Sequence, residues 1–303
     1  MRNLTDFQKH ISTLLPKTDL RFEQKLAEHT SFRIGGPAEV MAFPKSTEEL
    51  SVILKTSALL DCKTYILGAG TNVLAPDAGL RGLVICLKDC LTGMEKVGET
   101  SLRVSVGVTM SRAAVFAAGL GLSGLEFAHG IPGTVGGGVY MNAGAYGGEI
   151  SQVCSRVWVM SMDGAVTEYT GEEMGFSYRH SRLEWQSGIV TAAEFTLSQK
   201  PEEEIRELMR QLMQRRKEKQ PLDRPSAGSA FKRPAGGYAA ALIDEAGLKG
   251  FRIGGAAVSE KHAGFVVNLG DATADDVKRL LEQVSDKVYA ASGVRLEPEV
   301  RIW

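Results

Sequence analysis

A chain of 303 residues with 44% hydrophobic and 23% charged side chains is long enough for about two or three domains with cores of their own. Its formal net charge of -1 gives no global electrostatic reason to bind nucleic acid or an anionic membrane, so an anionic ligand has to be held by local groups. No apolar run approaches the ~20 residues of a membrane span, and the amino terminus lacks the apolar centre of a signal peptide, which points to the cytoplasm. Cys62, Cys86, Cys90 and Cys154 include no Cys-x-x-Cys pair and the histidines lack ligand spacing, so reduced, structural thiols and no metal site are expected.

Leu4, Phe7, Ile11 and Leu14 recur at near-helical spacing and predict a helix in the opening segment. His29-Thr30-Ser31-Phe32-Arg33-Ile34-Gly35-Gly36-Pro37 then leads into an apolar strand over 38–43 and a helix from about Thr47 to Leu60. The strand 64–67 runs into Gly68-Ala69-Gly70-Thr71-Asn72. A strand ending in Gly-x-Gly invites a dinucleotide-fold reading, but Val73 stands at the third glycine position and no helical pattern follows, so that reading is rejected. What remains is a glycine turn whose N-H groups, with Thr71 and Asn72, suit a pyrophosphate. Strands over 83–87 and 102–106 and an alanine-rich helix over 111–119 come next.

From Gly124 to Gly148 glycine is too frequent for a helix or strand interior, which points to turns kept for their backbone. Without Cβ atoms such a segment approaches a ligand closely and turns N-H groups toward anionic oxygens. A run of tight turns with no ligand is the plainer alternative. Tyr140, Met141, Asn142 and Tyr146 add side chains suited to a planar ring and its polar edge. A hairpin follows, with strands over 153–160 and 165–169 around Met162-Asp163-Gly164. Tyr178-Arg179-His180-Ser181 precedes a strand over 189–197; an arginine standing alone there would be an ordinary solvated charge.

A boundary falls near Ser198 to Pro201. The helix from Glu202 carries Ile205, Leu208, Met209, Leu212 and Met213 on one face, which makes the methionines core, and its basic end from Arg215 to Lys219 solvated. In Pro225-Ser226-Ala227-Gly228-Ser229-Ala230-Phe231-Lys232-Arg233-Pro234 the serines read as loop hydroxyls bonded to their own backbone. A helix over 239–246 stops at Gly247, His262 is a turn residue or a base, and a strand spans 264–268. Thr273 caps a last helix whose stripe is Val277, Leu280, Leu281, Val284 and Val288, with Gly293 as its stop. In the final strand Glu297 and Glu299 share a face by the period of two, with Pro298 between them.

Gly130-Ile131-Pro132-Gly133-Thr134-Val135-Gly136-Gly137 followed by Met141-Asn142-Ala143-Gly144-Ala145-Tyr146-Gly147 resembles the flavin-binding signature of the UDP-N-acetylenolpyruvoylglucosamine reductases. The Thr30 to Gly36 motif, the Gly68 to Asn72 turn, Tyr-Arg-x-Ser, the Ala227 to Pro234 motif and Leu296-Glu297-Pro298-Glu299 resemble further motifs of that family in the same order, over about Glu28 to Ile302. The ending at Trp303 resembles the shorter type II subclass.

The resemblance implies an α+β fold: a helical segment over 1–27, an FAD-binding PCMH-type domain over 28–195 with lobes of about 28–88 and 89–195, and an α+β substrate domain over 202–303. It implies non-covalent FAD, NADPH as co-substrate and UDP-N-acetylglucosamine enolpyruvate as substrate, with no nucleic acid and no membrane insertion. Catalytic roles fall to Arg179 at the substrate carboxylate, Ser229 as proton donor and Glu299. Cofactor binding falls to Arg33, Gly68, Gly70, Thr71, Asn72, Gly130, Ile131, Pro132, Gly133, Thr134, Gly137, Asn142, Gly144 and Tyr146. Substrate binding falls to Tyr178, Lys219, Lys232, Arg233 and His262. Thr71 replaces a commoner serine and keeps the hydroxyl; Arg233 stands where asparagine is common. Two other readings are another FAD oxidase of the same superfamily and a non-catalytic nucleotide-sugar binding protein.

Overall fold

The computed structural model describes residues 4–303, and the chain divides into two compact units. The first unit holds the chain up to Glu23, Glu39–Ala69 and Arg81–Gln214; the second holds Gln24–Ala38, Gly70–Leu80 and Arg215–Trp303. The predicted opening helix is present as Leu4–Leu14, residues 1–3 lying outside the described part. Ile11 and Leu15 face the core, whereas Leu14 is exposed.

One sheet is ordered Asp19–Lys25, Pro37–Phe43, Leu80–Cys86, Thr64–Leu67, the last two running parallel with Leu67 opposite Cys86. A second, antiparallel sheet is ordered Val166–Thr170, Cys154–Met160, Ile189–Thr196, Ser101–Ser105, Met94–Lys96. The hairpin at Asp163 is as predicted, with the Ser161 N-H donating to the Ala165 carbonyl. The strands Asp19–Lys25 and Met94–Lys96 were not foreseen, because both are mostly solvent-facing and carry no run of alternating apolar residues. Helices Thr47–Leu59 and Met110–Gly119, capped by the Ser46 and Thr109 hydroxyls, complete the packing. One core cluster joins Val40, Leu83 and Ile85 to Val104, Val157 and Phe195.

The glycine-rich stretch corrects a sequence expectation, for it contains a short helix, Val135–Tyr140, with Gly136, Gly137 and Gly138 inside it. Three glycines cost such a helix about 1 kcal/mol each against alanine. Close packing is the reason they are there: a Cβ on Gly136 would lie 2.2 Å from Val106 Cγ2, and one on Gly138 2.7 Å from Met110 Sδ. Thr134 caps the helix, while the N-H groups of Val135 and Gly136 donate to the Val108 and Val106 carbonyls.

The second unit is built on an antiparallel sheet ordered Ser226–Ser229, Phe265–Asn268, Ala256–Val258, Arg252–Ile253. The helix Ala274–Ser292 covers it with the foreseen stripe buried, a Thr273–Asp276 capping box at its start and Gly293 at φ 73° at its end. Phe32, Ile34 and Leu74 join Phe231, Val266 and Leu280 in this unit's core. The predicted closing strand shrinks to Arg301–Ile302, parallel to Val73–Leu74, because Pro298 has no N-H for a regular ladder. On helix Glu202–Lys219 only Ile205 and Met209 are buried and Leu208 is 41% exposed, so the apolar stripe is narrower than its spacing implies.

Candidate active site

The turn after the strand Thr64–Leu67 has the features of an anion cradle. Gly70 sits at φ 62°, and a Cβ there would lie 2.1 Å from the His29 carbonyl oxygen, so only glycine fits. The Ser31 N-H donates to the Gly70 carbonyl at 3.0 Å. Among the described residues, none of the N-H groups of Ala69, Gly70, Thr71 and Asn72 donates to a protein acceptor. A row of open amides in a glycine turn fits the pyrophosphate of a dinucleotide such as FAD.

Within the first unit, Gly68 lies against Thr134: a Cβ on Gly68 would come within 2.7 Å of the Thr134 hydroxyl. The Gly133 carbonyl accepts from the Met110 N-H at 2.9 Å, which fixes the corner Gly130-Ile131-Pro132-Gly133. Because the first N-H groups of helix Val135–Tyr140 are already bonded, what this helix offers outward is the bare Cα surface of exposed Gly137 between two buried glycines.

Arg179 is placed in the same unit by a brace. Asn142 is completely buried at 0% exposure, with φ 41°, and both ends of its amide are used: Nδ2 donates to the Ser177 carbonyl at 3.0 Å and Oδ1 accepts from the Ser151 N-H at 2.9 Å. Ser181, also at 0%, donates from Oγ to the Tyr140 carbonyl at 2.8 Å. Between these two ties Arg179 adopts φ 55° and donates from Nη2 to the Gly144 carbonyl at 3.1 Å, its guanidinium 4.9 Å from the Tyr178 ring. Gly144 itself lies in a two-stranded ribbon with Glu149 opposite, and Tyr146 is exposed at the ribbon's turn with φ 56°. Ser177 and the role of Ser181 escaped the sequence reading; the serine's place in Tyr-Arg-x-Ser was the available signal.

In the second unit Ser229 and Glu299 sit on neighbouring segments. Ser229 pairs with Phe265, the Glu299 N-H donates to the Ala230 carbonyl at 2.9 Å, and the Lys232 N-H donates to the Glu297 carbonyl at 2.8 Å. The Ser229 side chain is exposed, flanked by buried Ala227, Ala230 and Phe231. Lys232 pairs with the Glu297 carboxylate, and the Arg233 guanidinium lies 4.4 Å from the Tyr238 ring. His262 accepts from the Gly264 N-H at 3.1 Å; burial pushes its pKa down, with the nearby charges of Lys249 and Lys219 acting the same way, so it is a neutral imidazole. Lys219 is thus within electrostatic reach of His262, at the exposed end of its helix. Arg33 is exposed at φ 56° between buried Phe32 and Ile34. Ser31, also missed, donates to the Ser226 carbonyl at 2.6 Å and so ties its motif to the strand that carries Ser229.

Residues 38–170 match the family model of an FAD binding domain, and residues 220–303 that of the UDP-N-acetylenolpyruvoylglucosamine reductase C-terminal domain. With mixed helices and strands and an open-amide glycine turn, the protein is an α+β flavin-dependent oxidoreductase. The structure of UDP-N-acetylenolpyruvylglucosamine reductase from Thermus caldophilus is similar at a TM-score of 0.80 and 38% identity, covering 95% of this chain and 99% of that one. The UDP-N-acetylenolpyruvoylglucosamine reductase of Agathobacter rectalis is 43% identical over 98% of both chains, and the reductase 2 of Symbiobacterium thermophilum 45% identical over 94% of this chain and 92% of its own. The chain belongs to the UDP-N-acetylenolpyruvoylglucosamine reductase family. An alkyldihydroxyacetonephosphate synthase, 16% identical with a TM-score of 0.50 over 65% of this chain and 41% of its own, shares the fold alone. No helix among the described residues is long and apolar enough to cross a membrane.

Proposed function

We propose that this chain reduces UDP-N-acetylglucosamine enolpyruvate to UDP-N-acetylmuramate in peptidoglycan precursor synthesis, with non-covalent FAD as its cofactor and NADPH as reductant, in the cytoplasm. The observation that carries the reading is the pairing of the Ser229 and Glu299 segments inside the region that matches the reductase C-terminal domain. The domain division that goes with it is a helical segment over 1–27, a PCMH-type FAD domain over 28–195 with lobes of about 28–88 and 89–195, and a substrate domain over 202–303.

Bound FAD would supply the hydride-transfer chemistry between NADPH and C3 of the enolpyruvyl group. The protein's share is holding, charge stabilisation and proton delivery. Arg179, always cationic and fixed by its brace, faces the substrate carboxylate, where negative charge grows as C3 gains hydride. A preplaced donor of this kind is worth about 3 to 4 kcal/mol when water is excluded. Ser229 gives its hydroxyl proton to C2, a transfer in which short range to a basic carbon outweighs the serine's weak acidity. Glu299 orients the substrate and shares the enol proton. Cofactor contacts come from Arg33, Gly68, Gly70, Thr71, Gly130, Ile131, Pro132, Gly133, Thr134, Gly137, Gly144 and Tyr146, and from the main chain of Asn72; Asn142, fully buried with its N-H and its amide already bonded, supports the cofactor segment from within. Tyr178, Lys219, Lys232, Arg233 and His262 serve the nucleotide-sugar substrate, Lys232 exchanging its Glu297 partner for a phosphate oxygen.

Anaerobic visible spectroscopy tests the whole reading. The purified protein should show a flavin spectrum that bleaches with NADPH and recovers on adding UDP-N-acetylglucosamine enolpyruvate. Recovery only with oxygen would favour an oxidase of the same fold, and a colourless protein that takes up no FAD would favour a nucleotide-sugar binding protein.

A further inference from the structure

The geometry points to Asn72 as a positioning residue for Glu299: its side chain, not its backbone, supplies the hydrogen bond that holds the Glu299 peptide. The inference rests on the reductase reading of Glu299. Val73–Leu74 runs parallel to Arg301–Ile302, with the Arg301 N-H donating to the Asn72 carbonyl at 2.9 Å and the Trp303 N-H to the Leu74 carbonyl at 3.1 Å. In that register the next rung toward the amino terminus runs from the N-H of residue 72 to the carbonyl of residue 299. The Asn72 N-H does not make that rung, and it donates to no protein acceptor among the described residues. The rung is made instead by Asn72 Nδ2, which donates to the Glu299 carbonyl at 3.1 Å.

Pro298 makes this substitution matter. It gives no N-H to either neighbour, so the segment 297–299 has one main-chain donor fewer. The bonds that hold it include the Glu299 N-H donating to the Ala230 carbonyl, the Lys232 N-H donating to the Glu297 carbonyl, and the side-chain rung from Asn72. Glu299 is therefore held on one side by the residue next to Ser229 and on the other by the last residue of the cofactor turn. A residue 72 without a side-chain donor loses the second hold, because its own N-H makes no bond to the Glu299 carbonyl. Asparagine is suited to the place: its short amide reaches back to a carbonyl near its own backbone, as it does in turns.

The test uses the FAD-loaded full chain and compares wild type, Asn72→Ala and Asn72→Gln, the last keeping a side-chain amide donor. For Asn72→Ala we expect FAD affinity within about threefold of wild type and bleaching by NADPH essentially unchanged. Reoxidation by the enolpyruvyl substrate should slow by about 10- to 100-fold, as for a small misplacement of a catalytic group. Hydrogen exchange read by mass spectrometry should speed up by about tenfold or more at the amides of Glu299 and Arg301, and Asn72→Gln should recover part of both effects. Loss of FAD affinity by tenfold or more with exchange at 299–301 unchanged would overturn the inference and make the side chain a cofactor ligand. Equal slowing of both half-reactions in Asn72→Ala would overturn it as well. A wild-type protein that bleaches with NADPH but is not reoxidised by the substrate would count against the reductase reading itself, while the exchange comparison would still decide the Asn72–Glu299 hold.

Discussion

The two units fix their proposed catalytic residues by opposite means. In the first, Arg179 rides on an irregular loop with a left-handed backbone, held by buried side chains that bond to main-chain groups: Asn142 to Ser177 and Ser151, Ser181 to Tyr140. In the second, Ser229 and Glu299 sit on segments joined chiefly by main-chain hydrogen bonds, with Asn72 supplying one rung. Main-chain ladders survive most side-chain changes, whereas a brace fails with the residue that makes it. Apart from the single side-chain rung made by Asn72, the first unit should therefore be the one in which substitutions remote from the chemistry reach the chemistry.

The largest effect expected is at the guanidinium itself. Arg179→Ala should lower the rate of substrate-driven flavin reoxidation by about 100- to 1,000-fold, the usual loss for one charge-stabilising donor, and rapid-mixing absorbance reads it directly. Next comes Gly70→Ala, which forces a side chain onto φ 62° and against the His29 carbonyl at 2.1 Å, so the turn has to open. FAD titration followed by fluorescence should show affinity falling by more than tenfold, with the stability of the apo-protein lowered by about 1 to 2 kcal/mol.

The comparison is sharpened by the brace. Asn142→Ala removes both bonds of a fully buried side chain and leaves the Ser151 N-H without its acceptor, while the Ser177 carbonyl keeps the His180 N-H; it should cost about 1 to 3 kcal/mol, seen as a lower melting temperature together with slower reoxidation. Ser31→Ala, which removes one side-chain bond to the Ser226 carbonyl in the ladder-built unit, should cost only about 1 kcal/mol and leave the reoxidation rate within a few-fold. Equal kinetic losses in the two variants would break the contrast between the units.

The smallest effect is on pH dependence. His262 has its pKa lowered by burial, so between the ordinary histidine value near 6.5 and the lower folded value the unfolded chain binds a proton that the folded chain does not. Stability therefore falls as pH drops through about 6.5 and levels off below the folded pKa. His129 is shifted the same way by burial and adds to the slope. The melting temperature of His262→Gln should change less than that of wild type between about pH 7.5 and pH 5.5.

Much of this was legible in the chain. The stripe Val277, Leu280, Leu281, Val284 and Val288, its Thr273 cap and its Gly293 stop announce the helix Ala274–Ser292 because period, cap and C-terminal glycine agree. The motif order along the chain led to the family. The helix Val135–Tyr140 was hidden because its three glycines are there for contacts with Val106 and Met110, partners that no local pattern reveals. The short strands at Asp19 and Met94 were hidden because exposed strands carry no apolar alternation. The asparagine roles were hidden for a related reason: Asn72 and Asn142 look like ligand side chains in cofactor motifs, yet both side chains bond to backbone groups distant in sequence.

The most direct test of the central claim, that a proton from Ser229 completes substrate reduction, is anaerobic stopped-flow of Ser229→Ala in its two half-reactions. Flavin bleaching by NADPH should run at close to the wild-type rate, and reoxidation by UDP-N-acetylglucosamine enolpyruvate should slow by about 100-fold or more. Equal slowing of both halves, or reoxidation at the wild-type rate, would contradict it.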